Sequence, residues 1–411
     1  MTRTKSAGEG GHDMLKYGLA AMAAAAALAA ATGAPAQELR IGFINSDSGP
    51  GALIGKHLRN GWTLGLEHQG WKQDGDKLGG VPTRIVYGDD QSAKVDIGLK
   101  EADKMIKQDK VHIVAGIIWS NVIMAVSKPV FESKVMLLST NAGPSPLAGE
   151  MCNPLFVSSS FMNDGNAEAT GEMATKDKIQ TVVAMAPNYQ AGKDNVAGFQ
   201  RTFKGGKVVE TILFKVNESD YQADLAKVRA LKPQAVFIFA PGAMGVAFMK
   251  QWATSGLSKD VKLYSIYTID GVTLPGIGEA AIGATEAGHW NPNLDNPKNK
   301  AFIKDYVAKF GHMPSYFAVQ SYDAPALIAK GVQATGGKLD DMAAVAKAIR
   351  KGGMDSPRGQ IKYNVNGMLI QPYWRLNVIK GADGKPEIRG AEQIMMRPDS
   401  FWEKCPANMR I

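Results

Sequence analysis

Residues 111–143 read VHIVAGIIWSNVIMAVSKPVFESKVMLLSTNAG. Val111 to Ala115 is a short apolar run, Val122 to Phe131 a longer helical pattern, and Val135 to Ser139 a second apolar run. Strand, helix, strand is the repeating unit of a parallel sheet, because two parallel neighbours need a connection of a dozen or more residues.

The rhythm extends on both sides. Upstream, Leu39 to Asn45 predicts a strand, Leu53 to Glu67 a helix, Thr83 to Tyr87 a strand and Val95 to Ile106 a helix. Downstream it restarts, with strands at Thr181 to Ala186, Val208 to Leu213, Ala235 to Phe239 and Val261 to Ile266. Helical patterns at Ala167 to Ala174, Lys193 to Phe203, Leu225 to Leu231 and Val246 to Thr254 separate them. Two runs of this kind predict an α/β fold of two doubly wound, Rossmann-like lobes. The tail differs: helices at Lys298 to Phe310, Ala318 to Ala334 and Met342 to Ile349 precede strands at Arg358 to Tyr363 and Tyr373 to Ile379. It is expected to cross back and complete both lobes through a multi-crossing hinge. The expected division is 1–36 leader, 37–158 and 289–352 lobe 1, 159–288 lobe 2, and 353–411 lobe 2 completion with the C-terminal tail.

The first stretch has another purpose. Lys16 precedes an Ala-rich core from Ala20 to Ala31, and Ala34-Pro35-Ala36 fits the small-residue rule for a cleavage site. A secretory signal peptide over 1–36 is expected, with the mature chain starting at Gln37 and translation starting at Met14. No other segment holds eighteen uninterrupted apolar residues, and no cysteine lies near the cut, so a free periplasmic protein without membrane insertion is expected. In an exported chain the two cysteines, Cys152 and Cys405, predict a disulfide.

The formal charge is +8, of which the first 36 residues supply +1. The basic residues are scattered rather than interleaved with aromatics. That pattern is a solvated surface with mild attraction for anions, and no nucleic-acid partner is expected.

Gly116-Ile117-Ile118-Trp119-Ser120-Asn121, Leu138-Ser139-Thr140-Asn141-Ala142-Gly143 and Asn188-Tyr189-Gln190-Ala191-Gly192-Lys193-Asp194 resemble the binding loops of the branched-chain amino-acid-type periplasmic binding proteins of ABC transporters. Tyr267-Thr268-Ile269-Asp270-Gly271-Val272 fits the same order, and the likeness covers nearly the whole mature chain. The wording around Trp119 looks most like the members that take up aromatic acids. The resemblance implies a type I periplasmic binding protein: a monomeric receptor that closes on a small solute and hands it to the permease subunits of an ABC importer.

Elementary chemistry agrees with an anion receptor. Ser120 and Asn121 stand where a strand ends and a helix begins, so unpaired N–H groups and the helix dipole favour negative charge. A plain N-cap is the competing reading of Ser120. Asn141, Ala142 and Gly143 follow another strand end and are small enough for a carboxylate to approach the backbone. Trp119 offers either a flat wall for the solute or a core aromatic. Tyr189, in the other lobe, matches a tyrosine that in the resembling family packs on the solute on closure, and its ring could stack on an aromatic solute. Asp270 matches the acidic position that grips an amino acid's ammonium in the resembling family, and it equally accepts a phenol O–H. Two departures favour a bulkier, less polar ligand such as a benzoate or hydroxycinnamate. Gly143 stands where the resembling family offers a threonine hydroxyl, and the strand end at Phe239 to Met244 lacks the tyrosine that family carries there, leaving Gly242 and Met244 as expected lining. Ser48, after the first strand, is expected at the rim.

Enzyme signatures are absent. The six histidines, His12, His57, His68, His112, His289 and His312, form no H-x-x-x-H or H-E-x-x-H pair. There is no Gly-x-Ser-x-Gly elbow or phosphate-binding loop, and Gly276-Ile277-Gly278 is only a fragment of a dinucleotide motif. Neither metal nor cofactor is expected. The competing readings are a branched-chain amino acid or small amide as solute, and, from another class, an exported hydrolase or a receptor's sensory domain.

Overall fold

The computed structural model describes residues 1–4 and 37–411. The expected leader, its Met14 start and its cut site fall on residues outside that description. Residues 39–411 fold together as one unit.

The first sheet has six strands. They are β1 (Leu39–Asn45), β2 (Lys77–Leu78), β3 (Val81–Asp89), β4 (Ile113–Gly116), β5 (Met136–Ser139) and β6 (Phe156–Ser158), in the order β2-β3-β1-β4-β5-β6. All neighbours are parallel except the short β2–β3 pair. Every residue of β4 and β5 is buried, as expected where helices cover both faces of a parallel sheet. The covering helices are α1 (Ala52–His68), α2 (Val95–Lys107) and α3 (Ser120–Glu132), with a short turn, α4 (Ser145–Ala148), after β5.

The second lobe begins with α5 (Asn163–Lys176), β7 (Thr181–Pro187), α6 (Gln190–Thr202) and β8 (Lys207–Phe214). It continues through α7 (Gln222–Leu231), β9 (Ala235–Phe239), α8 (Ala243–Ser255), β10 (Lys262–Ile266), α9 (Leu274–Ile277) and β11 (Thr285–Gly288). The chain then runs to α10 (Pro297–Phe310), α11 (Tyr316–Ala334) and α12 (Met342–Gly352). Of these, α10 and α11 pack on α1, back on the first sheet. The α1–α11 contact is close because glycine permits it: a Cβ on Gly61 would stand 2.0 Å from the Ala318 carbonyl oxygen.

Three short strands follow, β12 (Met354–Ser356), β13 (Gly359–Tyr363) and β14 (Leu369–Ile370), forming a small antiparallel sheet. The chain then adds β15 (Tyr373–Lys380) and β16 (Pro386–Met395), antiparallel, to the second sheet, whose order is β16-β15-β11-β10-β9-β7-β8. No local pattern warns of β16, an edge strand whose exposed residues, Arg389, Ala391 and Gln393, alternate with half-covered ones.

The chain passes between sheets at 159–162, at 289–291 and at 371–372. Arg358 ties the first and last passages together. Its fully buried guanidinium donates to the Ser159 and Ser160 carbonyls at 2.6 and 2.9 Å, to Gln371 Oε1 at 2.7 Å and to Asp323 Oδ2 at 2.9 Å. The tail returns to the first lobe, where a disulfide joins Cys405 to Cys152 across 253 residues of sequence.

Candidate functional site

The carboxyl ends of the strands of both sheets face a small shared cavity. The backbone is strained on each side of it. Ile117, after β4, and Tyr267, after β10, hold φ of 65° and 52°, the left-handed region that a residue with a Cβ rarely adopts. Each turn redirects the chain at a strand end. The first brings Ile118, Trp119 and Ser120 onto the cavity wall, and the second brings the Tyr267 ring there.

The first lobe supplies the polar end. Ser120 opens α3, a helix of thirteen residues. Among the described residues, the Ser120 and Asn121 amides donate to no protein acceptor. Ser120 Oγ accepts from Asn163 Nδ2 at 3.2 Å, which leaves its own hydrogen available. The Trp119 indole is held by its N–H, which donates to Ser46 Oγ at 2.8 Å. Ser46 Oγ in turn donates to Asp90 at 2.5 Å. Burial pushes the Asp90 carboxyl up to about 6.

The second lobe and the passages supply rings. Trp119 meets Tyr189 edge-on at 6.0 Å, Tyr189 stacks toward Phe239 at 6.3 Å, and Phe239 meets Tyr267 at 6.1 Å. Phe161 lies 4.8 Å and Phe317 6.2 Å from Tyr267. Burial raises the Tyr189 and Tyr267 hydroxyls well above their ordinary value, so both stay protonated.

The lobes touch around the cavity. Ser145, on α4, donates from Oγ and from its amide to Asp194, on α6, at 2.7 and 3.1 Å. Asn163, at the start of α5, joins Asp194 to Ser120. These contacts hold the two lobes closed on each other.

A hydrogen-bond relay also crosses the site. The Ile118 carbonyl can only accept, so Asn141 presents Nδ2 to it at 2.7 Å and Oδ1 to Gln320 Nε2 at 2.6 Å. Gln320 Oε1 then faces His289 Nε2 at 3.0 Å, which must carry the hydrogen. The bare Nδ1 accepts from the Tyr267 hydroxyl at 3.3 Å.

Of the expected site residues, Trp119, Ser120, Asn141 and Tyr189 line the cavity together. The others stand elsewhere, each for a local reason. Ser48 is exposed and bonds Asp89 at 2.5 Å. The Asn121 side chain turns away to the Ala93 carbonyl. The amides of Ala142 and Gly143 are occupied by the Ile117 carbonyl and Asn163 Oδ1. Gly242, with φ 64°, precedes α8 close against Ile54, and Met244 is buried in the core beneath that helix. Asp270 caps its own turn, Oδ1 accepting from the Val272 and Thr273 amides at 2.8 and 3.2 Å. Among the described lining residues none carries a formal charge.

Sequence reasoning missed Phe161, Asn163, Asn195 and Phe317. They sit at a passage between lobes or inside helices, where no local pattern marks a cavity wall. Phe239 ends β9 and Tyr267 directly follows β10, and that position was the available signal.

Residues 38–384 match the family model described as periplasmic binding protein. The chain belongs to that family. It has the type I fold, and family membership implies an extracytoplasmic place of work beside an ABC permease. A relative called Leu/Ile/Val-binding protein homolog 6, from Brucella melitensis, is 28% identical over 364 residues, covering 86% of this chain and 91% of its own. Among solved structures, a solute-binding protein of an ABC transporter from R. palustris in complex with benzoate is 29% identical. It superposes with a TM-score of 0.83 over 90% of this chain and 100% of its own. Another from R. palustris, in complex with 4-hydroxybenzoate, is 27% identical with a TM-score of 0.81, covering 89% and 99%.

Proposed function

We propose that the protein is the periplasmic receptor of an ABC importer for small aromatic carboxylates of the benzoate or hydroxycinnamate type, and not an enzyme. The observation that carries this reading is a ring-walled, uncharged cavity with a helix N-terminus at one end. A carboxylate placed there is met by the Ser120 hydroxyl and the first amides of α3, and the helix dipole adds about 0.3–1 kcal/mol. The rings of Trp119, Tyr189 and Phe239 then cover the aromatic body, each well-placed ring pair contributing about 0.5–1.5 kcal/mol beyond area burial. Contacts made only when the lobes meet favour the closed form, which the permease would read.

The names of the Brucella relatives favour a second reading, a branched-chain amino acid. An ammonium group needs a carboxylate, and Asp270 stands outside the cavity lining. The first reading is therefore preferred.

Calorimetry on the mature chain tests this with benzoate, the hydroxybenzoates, cinnamate and leucine. Tight binding of at least one aromatic acid is expected, and Ser120→Ala should weaken it by about 10- to 100-fold, the value of a hydrogen bond to a charged group. Silence across the aromatic acids together with tight leucine binding would end the proposal.

A further inference from the structure

Among the described residues lining the cavity, one buried side-chain acceptor has no protein partner. Asn195 is 1% exposed, lies on α6 and lines the cavity. Its Nδ2 donates to the Ala191 carbonyl, one turn back on the same helix, at 2.7 Å. A carbonyl can only accept, so this bond fixes the amide with its nitrogen toward the helix. Oδ1 is left over, buried and without a partner among the described residues. A buried carbonyl oxygen lacking a donor is unfavourable, and a ligand that brings the donor removes the penalty.

The other lining amides are not in this position. Asn141 is engaged at both ends by Ile118 and Gln320. Asn163 donates to Ser120 and Asp194 and accepts from the Gly143 amide. The Tyr189 hydroxyl can donate or accept, so it does not discriminate. Asn195 Oδ1 can only accept. Donors gathered at α3 and a lone acceptor on α6 describe a solute with a carboxylate and, elsewhere on its body, an O–H.

We propose that Asn195 is a specificity residue that accepts a hydrogen bond from a ring hydroxyl, so that hydroxylated aromatic acids are held more tightly than their unsubstituted parent. This rests on the aromatic-carboxylate reading above. A site that hydrogen-bonds a hydroxyl rejects the analogue lacking it, because its own group is then stranded.

Calorimetry with benzoate and the 2-, 3- and 4-hydroxybenzoates separates the two ideas. In the native sequence the best hydroxy isomer should bind at least about 10-fold more tightly than benzoate. In Asn195→Leu, and in Asn195→Ala should the leucine variant fold poorly, that preference should shrink to within about 2-fold. Benzoate binding as tightly as every hydroxy isomer in the native protein would overturn the assignment to Asn195 and leave the aromatic reading standing. A preference surviving in both variants would also overturn it. Failure of all four acids to bind, with leucine binding instead, would count against the aromatic reading itself.

Discussion

Asp270 shows how one side chain can fit a family's motif and do something else. Its Oδ1 receives two amides of its own turn, its Oδ2 is buried without a partner among the described residues, and it stands outside the cavity lining. Burial pushes its carboxyl up to about 7, and nearby Glu286 is likewise raised well above the usual range by burial and by Asp270. A folded-state value above the unfolded one means that the protonated acid supports the fold. That support is complete below the unfolded value, 3.8, and is lost as pH rises through about 7. Asp270→Asn keeps the Oδ1 acceptor and removes the charge. The variant should therefore melt higher than the parent at pH 8, with the gap narrowing below pH 7 and closing near pH 4. Its affinity for an aromatic acid should stay within about 2-fold, because the side chain does not line the cavity. A thermal melt series and one titration check both parts. Residue identity at 270 was legible in the sequence; the direction of its carboxyl was not, because a two-residue turn sets it.

At the scale of elements, what was legible depends on burial. Strands such as β4, β5 and β9 are buried on both faces and read as unbroken apolar runs, so their alternation with helices marks the fold. Strand β16 alternates toward solvent, and the β12–β14 sheet is made of pieces of two to five residues; neither offers such a signal. Helix packing hides in glycines. By propensity alone, Gly61→Ala in α1 should stabilise the helix by about 1 kcal/mol. The added Cβ would stand 2.0 Å from the Ala318 carbonyl oxygen of α11, a backbone atom that no side-chain rotation can relieve. Overpacking of this kind costs about 1–3 kcal/mol, so the clash wins. The variant should melt several degrees below the parent, about 2–4 °C per kcal/mol lost. An unchanged or raised midpoint would mean that α1 and α11 do not meet closely in solution.

Across the whole molecule, the two lobes are joined by buried polar groups as well as by chain. Arg358 ties Ser159 and Ser160 at one passage to Gln371 at another, and His289, at the passage after β11, links Tyr267 of the second lobe to Gln320 of α11. This arrangement was beyond sequence reasoning, because its members lie tens to hundreds of residues apart and pair only after both sheets have formed. It has a consequence for acid stability. Burial, with Arg358 nearby, holds His289 well below its ordinary 6.5. A depressed value means that the neutral ring supports the fold: the support is complete above 6.5 and is lost as pH falls. Protonation would put a hydrogen on Nδ1, the atom that accepts from Tyr267, and would end that bond as it stands. His57, also lowered by burial, to about 3, acts in the same direction, while Asp270 and Glu286 act in the opposite one. The raw pH profile is therefore a mixture, and a difference between variants isolates the histidine. His289→Gln carries no titratable ring, and the parent's advantage over it should shrink as pH falls from about 7 to 5. Ligand affinity should show the same slope, since closure depends on the joined lobes. Parallel melting curves for parent and variant across that range would show that His289 does not couple the lobes to pH.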